Sequence, residues 1–160
     1  MEAFLGESHF VDVQTGLDLN DAFVGKRIDM QKVERLAIVI AVNAGIAANI
    51  VLSLTQHQTA AGGTGKALPY VGMFFYRVST DEGFTKVEVD AANPLAEIDL
   101  STIFATKSGV VILEVMQEFL DVDNNFRFVN VASEDATVAS PASVTYIGQA
   151  KHLPAYTDIL

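Results

Sequence analysis

The sequence predicts an all-β fold: a single antiparallel β-sandwich or barrel of about eight strands, preceded by an extended N-terminal arm. Three observations lead there. Apolar residues recur with period two in short runs, turn-forming clusters separate those runs, and no segment sustains the 3.6-residue period of a helix. With 160 residues and a mass of 17.2 kDa the chain has room for one domain. Half of its residues are hydrophobic and 19% are charged, enough apolar material for a proper core.

Taken in order, residues 1–35 lack dense apolar runs. They read as an arm with at most one short strand, near Phe10 to Val13, and a turn or two of helix within Asp18 to Val24. Such an arm should be removable: deletion of Met1 to Gln31 is expected to leave the remaining β domain, residues 36–160 with a short C-terminal tail, folded. The run from Leu36 to Leu54 has nineteen residues without a charge, the length of a membrane helix. Asn43, Asn49, Ser53 and Gly45 interrupt it, and Val and Ile dominate it. Leu36, Ile38, Ile40 and Val42 alternate with Ala37, Val39 and Ala41, so the expectation is two strands joined by a bend around Asn43-Ala44-Gly45 and no membrane span.

Period two continues downstream. Phe74 and Tyr76 alternate with Phe75 and Arg77, Val87 and Val89 with Lys86 and Glu88, and Val144 and Tyr146 with Thr145 and Ile147. Ser101 to Phe104 suits a single helical turn. Val110 to Leu120, bracketed by Gly109 and Asp121, reads as one strand, and Phe126 to Val129 as another. Between these runs lie Ala61-Gly62-Gly63-Thr64-Gly65, Ser79 to Gly83, Asn93-Pro94, Asp121 to Asn125 and Ser140 to Ser143, all turn chemistry.

Charge narrows the functional classes. Ten basic against twenty acidic residues give a net charge of −10, which repels phosphate, so no nucleic-acid partner is expected. The absence of Cys removes disulfides, thiolate nucleophiles and Cys-zinc sites. Met1 to Gly6 holds Glu2 and no basic residue, unlike the start of a secretory leader.

Strings that suggest chemistry each miss a required position. Gly62-Gly63-Thr64-Gly65-Lys66 has Ala60 and Ala67 where a phosphate loop needs Gly and Ser or Thr, and Leu68 stands where a dinucleotide fingerprint needs its third Gly. A hairpin loop is the expectation there. Asp121, Asp123 and Asn125 start like a calcium loop, but Phe126 occupies the turn Gly position and Ala132 that of the bidentate Glu. An acidic turn is expected, with an adventitious cation as the alternative. His9, His57 and His152 have no ligand spacing, and His57 reads as a surface polar residue. Gly6-Glu7-Ser8-His9 has Phe10 in place of the nucleophile-elbow Gly. Glu97 with Asp99, and Glu114 with Glu118, could share a face, but carboxylate pairs are expected by chance in so acidic a chain. No catalytic residue, cofactor site or metal site is assigned, and an enzyme is the least favoured class.

The stretch Leu-Ala-Ile-Val-Ile-Ala-Val, a bend, then Ile-Val-Leu-Ser-Leu-Thr-Gln-His-Gln-Thr-Ala-Ala-Gly-Gly-Thr-Gly-Lys-Ala-Leu, from Leu36 to Leu68, resembles small virion proteins of tailed bacteriophages. So does the later half: Val110 to Glu114, the Asp121 to Asn125 turn, Phe126-Arg127-Phe128-Val129-Asn130-Val131, a small-residue linker and Ser143 to Gly148. The likeness covers about two thirds of the chain and lies in strand order and loop chemistry. It implies a head-associated decoration or cement protein that binds the major capsid protein on the virion surface and is made in the host cytoplasm. A homo-oligomer is implied too, a trimer being favoured because it suits local threefold positions. Lys26, Arg27, Lys32 and Arg35, four of the ten basic residues, become candidates to meet an acidic capsid surface; ordinary strand-flanking charge is the alternative. A tail or neck position, and a β-sandwich module for host-receptor or carbohydrate recognition, are the competing roles. An exposed aromatic platform would mark the latter; Tyr70, Phe74, Phe75 and Tyr76 cluster but read as a core strand.

Overall fold

In a computed structural model of the chain, residues 9–18, 23–43, 50–133 and 141–150 are described. The strands among them are β1 (His9–Asp18), β2 (Phe23–Val24), β3 (Ile28–Asp29), β4 (Val33–Val42), β5 (Val51–His57) and β6 (Gly65–Ala67), then β7 (Gly72–Val78), β8 (Thr85–Val89), β9 (Ile98–Asp99), β10 (Gly109–Met116), β11 (Phe128–Ser133) and β12 (Pro141–Ala150). One short helix, α1 (Leu100–Phe104), lies between β9 and β10. The strands form two antiparallel sheets packed face to face, the sandwich expected from the sequence, with more than eight strands. The first sheet has the order β1-β12-β4-β10-β7-β8. The second runs β2-β11-β5-β6, with β3 also on β11 and β9 also on β5.

Alternation dictates the interior. On β4 the residues Leu36, Ile38, Ile40 and Val42 are buried, and the register pairs Ile40 with Val111 on one side and Val144 on the other, so these three share the inner face. From the second sheet come Leu52 and Leu54 on β5, paired across with Ser133 and Val131 on β11. Phe104 of α1 closes one end. Its helix starts because the Asp99 carboxylate accepts the Thr102 N–H at 3.1 Å and the Thr102 hydroxyl at 2.6 Å. Where β7 stops pairing with β10 the ladder is continued by a side chain: the buried Tyr70 hydroxyl accepts the Glu114 N–H at 3.1 Å. Burial pushes the Tyr70 phenol up to about 12, the nearby Glu114 charge adding to this and the backbone hydrogen bond opposing it.

Two expectations need correction. The first 35 residues are more than an arm with one short strand: β1 is ten residues long, β2 and β3 follow, and β4 already begins at Val33. Phe10, Ile28, Met30 and Val33 lie in the common core. Ile28, Met30 and Val33 are spaced singly among polar residues and Phe10 has one apolar neighbour, Val11, so no dense run announces them. The long Val110 to Leu120 strand ends at Met116 and gives way to a 3-10 turn, Gln117–Phe119. The two strands expected across the uncharged run are present as β4 and β5, which belong to different sheets; the bend between them lies outside the described residues from residue 44. The helix expected within Asp18 to Val24 falls partly outside them too, and Phe23–Val24 is strand. No helix among the described residues is long and apolar enough to cross a membrane.

Candidate interaction face

An antiparallel sheet with one dry face and one wet face alternates apolar with polar residues. Edge strand β8 obeys: Val87 and Val89 point inward, Lys86 and Glu88 outward. The central strands do not. On β4 the outward residues are Ala37, Val39 and Ala41, and on β10 they begin with Val110 and Ile112. Strand β7 adds Met73 and Phe75, β12 adds Ile147, and β1 adds Val11 and Val13, which are 45% and 49% exposed.

The register joins these positions into rows. Val13 faces Thr145, Thr145 faces Val39, Val39 faces Ile112, Ile112 faces Phe75 and Phe75 faces Lys86, so one row crosses all six strands with a single hydroxyl before its charged end. At about 4.8 Å between strands and 6.6 Å between successive outward residues, these ten apolar positions project to about 320 Å². That is within the range of a monomer's largest exposed apolar patch. The uncharged stretch that matches a membrane helix in length has the same cause: β4 is apolar on both faces.

Charges are few and sit toward the margins. Arg35 pairs with Glu114 at 3.5 Å and Lys86 with Glu88 at 2.5 Å, all partly or largely exposed, so each pair contributes little to stability. At one end an open groove of about 410 Å³ lies between Ala41, Arg77, Ser108, Val110 and the half-exposed ring of Phe84.

The basic residues singled out by sequence have separate intrachain partners. Lys26 makes an ion pair with Asp12 of β1, and its N–H donates to Gln14 Oε1 at 3.2 Å. Arg27 donates to the carbonyls of Thr59 at 3.0 Å and Gly62 at 2.6 Å, clasping the loop of the β5–β6 hairpin. Lys32 follows in a turn where its N–H donates to Asp29 O at 3.2 Å. Arg35 stands on the outer face of the first sheet, beside Glu114. The expected hairpin loop thus holds the glycine string, with Gly62 and Gly63 at φ +64° and +69°.

The other chemical candidates are tied into the fold. His57 Nε2 is 3.2 Å from Asn130 Oδ1 and 3.0 Å from Thr55 Oγ1, and Asn130 Nδ2 donates to Gly25 O at 3.3 Å. Burial lowers the His57 pKa; the hydrogen bond to Asn130 opposes this and the charge of Arg27 adds to it. The polar set Thr55, His57 and Asn130 arises only when β5 pairs with β11, so no local sequence signal reveals it. Asp121 binds Lys66 and both its oxygens accept from Asn124 Nδ2 at 2.9 Å; those hydrogen bonds hold its carboxyl below the usual range. Lys66 also lies 4.5 Å over the Phe126 ring. Asp99 caps α1, and Glu114 and Glu118 are separated by the end of β10. Among the described residues no group of three or more His, Asp or Glu could hold a metal. Ser8 and His152 lie outside the described residues, and so does the side chain of His9. No family model, no curated protein and no solved structure matches this chain.

Proposed function

We propose that the chain is a non-enzymatic structural protein of a virion, decorating or cementing the head of a tailed bacteriophage by binding the major capsid protein. The observation that supports it is the six-stranded sheet, whose strands β4 and β10 carry apolar residues on both faces. Apolar surface left in water forfeits roughly 25 cal/mol per Å², so covering these outward residues in an assembly is favourable. The chemistry-bearing side chains are occupied in structural bonds, as expected of a framework protein: His57 with Asn130, Asp121 with Lys66, Asp99 at the helix start. Since Lys26, Arg27 and Arg35 have intrachain partners, the weight of attachment moves from the basic residues to apolar surface and strand edges. The virion assignment itself rests on the resemblance of Leu36 to Leu68 and of the later strands to phage head proteins.

Quantitative mass spectrometry of purified particles tests it. The expected result is many copies per particle, comparable with the major capsid protein. A handful of copies moves the protein to the neck or tail, and none removes it from the virion. A second reading, a host-receptor or carbohydrate-recognition module, is favoured by one feature, the exposed Phe84 ring beside Arg77 at the open groove. Loss of cell binding on Phe84→Ala, with particle assembly intact, is the outcome that favours it.

A further inference from the structure

We infer that the outer face of the six-stranded sheet docks on the same face of a second copy of this chain, the two sheets stacking about a twofold axis. The inference rests on the reading of the chain as an assembly subunit; it gives this face to a second copy and leaves the strand edges for the capsid protein. It departs from the trimer expected by resemblance.

Area is the first argument. The whole six-strand face projects to about 790 Å² per copy, and contact over two thirds of it removes about 1,000 Å² in total, the threshold of a specific interface, with the apolar rows at its middle. The second is charge. The whole chain carries −10, yet the charged positions on this face lie at its margins and nearly cancel, the cations Arg35, Arg77 and Lys86 against the anions Asp18, Glu34, Glu88 and Glu114. Two such faces meet without opposing acidic surfaces, whereas an unlike, strongly acidic or basic partner gains nothing from the apolar middle. The third is shape. Ala37 and Ala41 flank Val39 on β4, and Ile112 stands beside it on β10. Low positions thus alternate with high ones, and sheet-on-sheet stacking about 10 Å apart interdigitates such surfaces. An isologous contact needs one self-complementary patch, which this face supplies.

The test uses the purified full chain. Sedimentation velocity should give a species of twice the 17.2 kDa chain mass, and Val39→Lys or Ile112→Lys should shift it to monomer with the circular dichroism unchanged. Because the chain has no Cys, single-cysteine variants provide a probe that does not depend on a disruptive charge. A short bis-maleimide should link copies of Val39→Cys or Ile112→Cys and not of Val122→Cys, which lies in the turn after β10. A monomer throughout overturns the inference, as does association that survives both Lys variants. A monomer whose Val39→Cys reacts only after residues 151–160 are removed also overturns it, by making the chain's own tail the occupant. The virion reading fails separately: a dimer missing from particles contradicts that reading alone, and a monomer abundant in particles contradicts only the pairing.

Discussion

Gly148 shows how little tolerance the sandwich has at a single residue. It sits on β12 directly opposite Phe10 of β1, and a Cβ there would lie 1.9 Å from the Phe10 ring. Gly148→Ala should therefore push Phe10 off the core and cost about 1–3 kcal/mol of stability, read as a fall in the urea midpoint with the slope unchanged. No change would mean that the β1 edge can yield. His57 gives a pH dependence. Its pKa is lowered in the fold from an ordinary 6.5, so between the two values the unfolded chain binds more protons than the folded one. The contribution of neutral His57 is fully present above about pH 6.5 and is lost as the pH falls through the lowered folded value. Urea midpoints measured from pH 7.5 down to 5 should decline in the native protein and decline less in His57→Asn; equal slopes would show that His57 titrates normally.

Among the elements, β1 changes most between sequence and structure. Its register with β12 runs from His9 to Asp18, broken by a bulge between Gln14 and Leu17, where Gly16 takes φ +70°. Phe10 is buried, and Ile28 and Met30 are fully enclosed. Deleting Met1 to Gln31 should now abolish the β-sheet circular dichroism, because it removes an edge strand together with three core side chains. A folded truncated chain would return those residues to the status of a detachable arm. The central strands were legible because Leu36 to Val42 and Val110 to Leu113 are uninterrupted apolar runs rich in β-branched residues. Their pairing was not, because period two is common to every strand and the register depends on contacts distant in sequence. Two-residue strands such as Phe23–Val24 and Ile28–Asp29 carry no period at all. The polar set around His57 stayed hidden for the same reason: Thr55 and Asn130 are seventy-five positions apart and meet only across β5 and β11.

For the whole molecule, one uncharged run explains two impressions. Nineteen residues without charge match a membrane helix in length. In the fold they contribute the start of β5 in the second sheet and most of β4, which is apolar on its inner face, against that sheet, and also on its outer face. The outer face is the feature on which the assembly reading and the pairing of copies both depend, so whether it is covered is the central question. Photolabelling of the purified native chain with a small diazirine, read residue by residue by mass spectrometry, answers it most directly. Val39, Ile112 and Phe75 should resist labelling as strongly as the inner-face Ile40 and Leu113, while Val24 and Val122, at 67% and 48% exposure, label freely. Labelling of Val39, Ile112 and Phe75 at the level of Val122 would contradict the pairing of copies through that sheet.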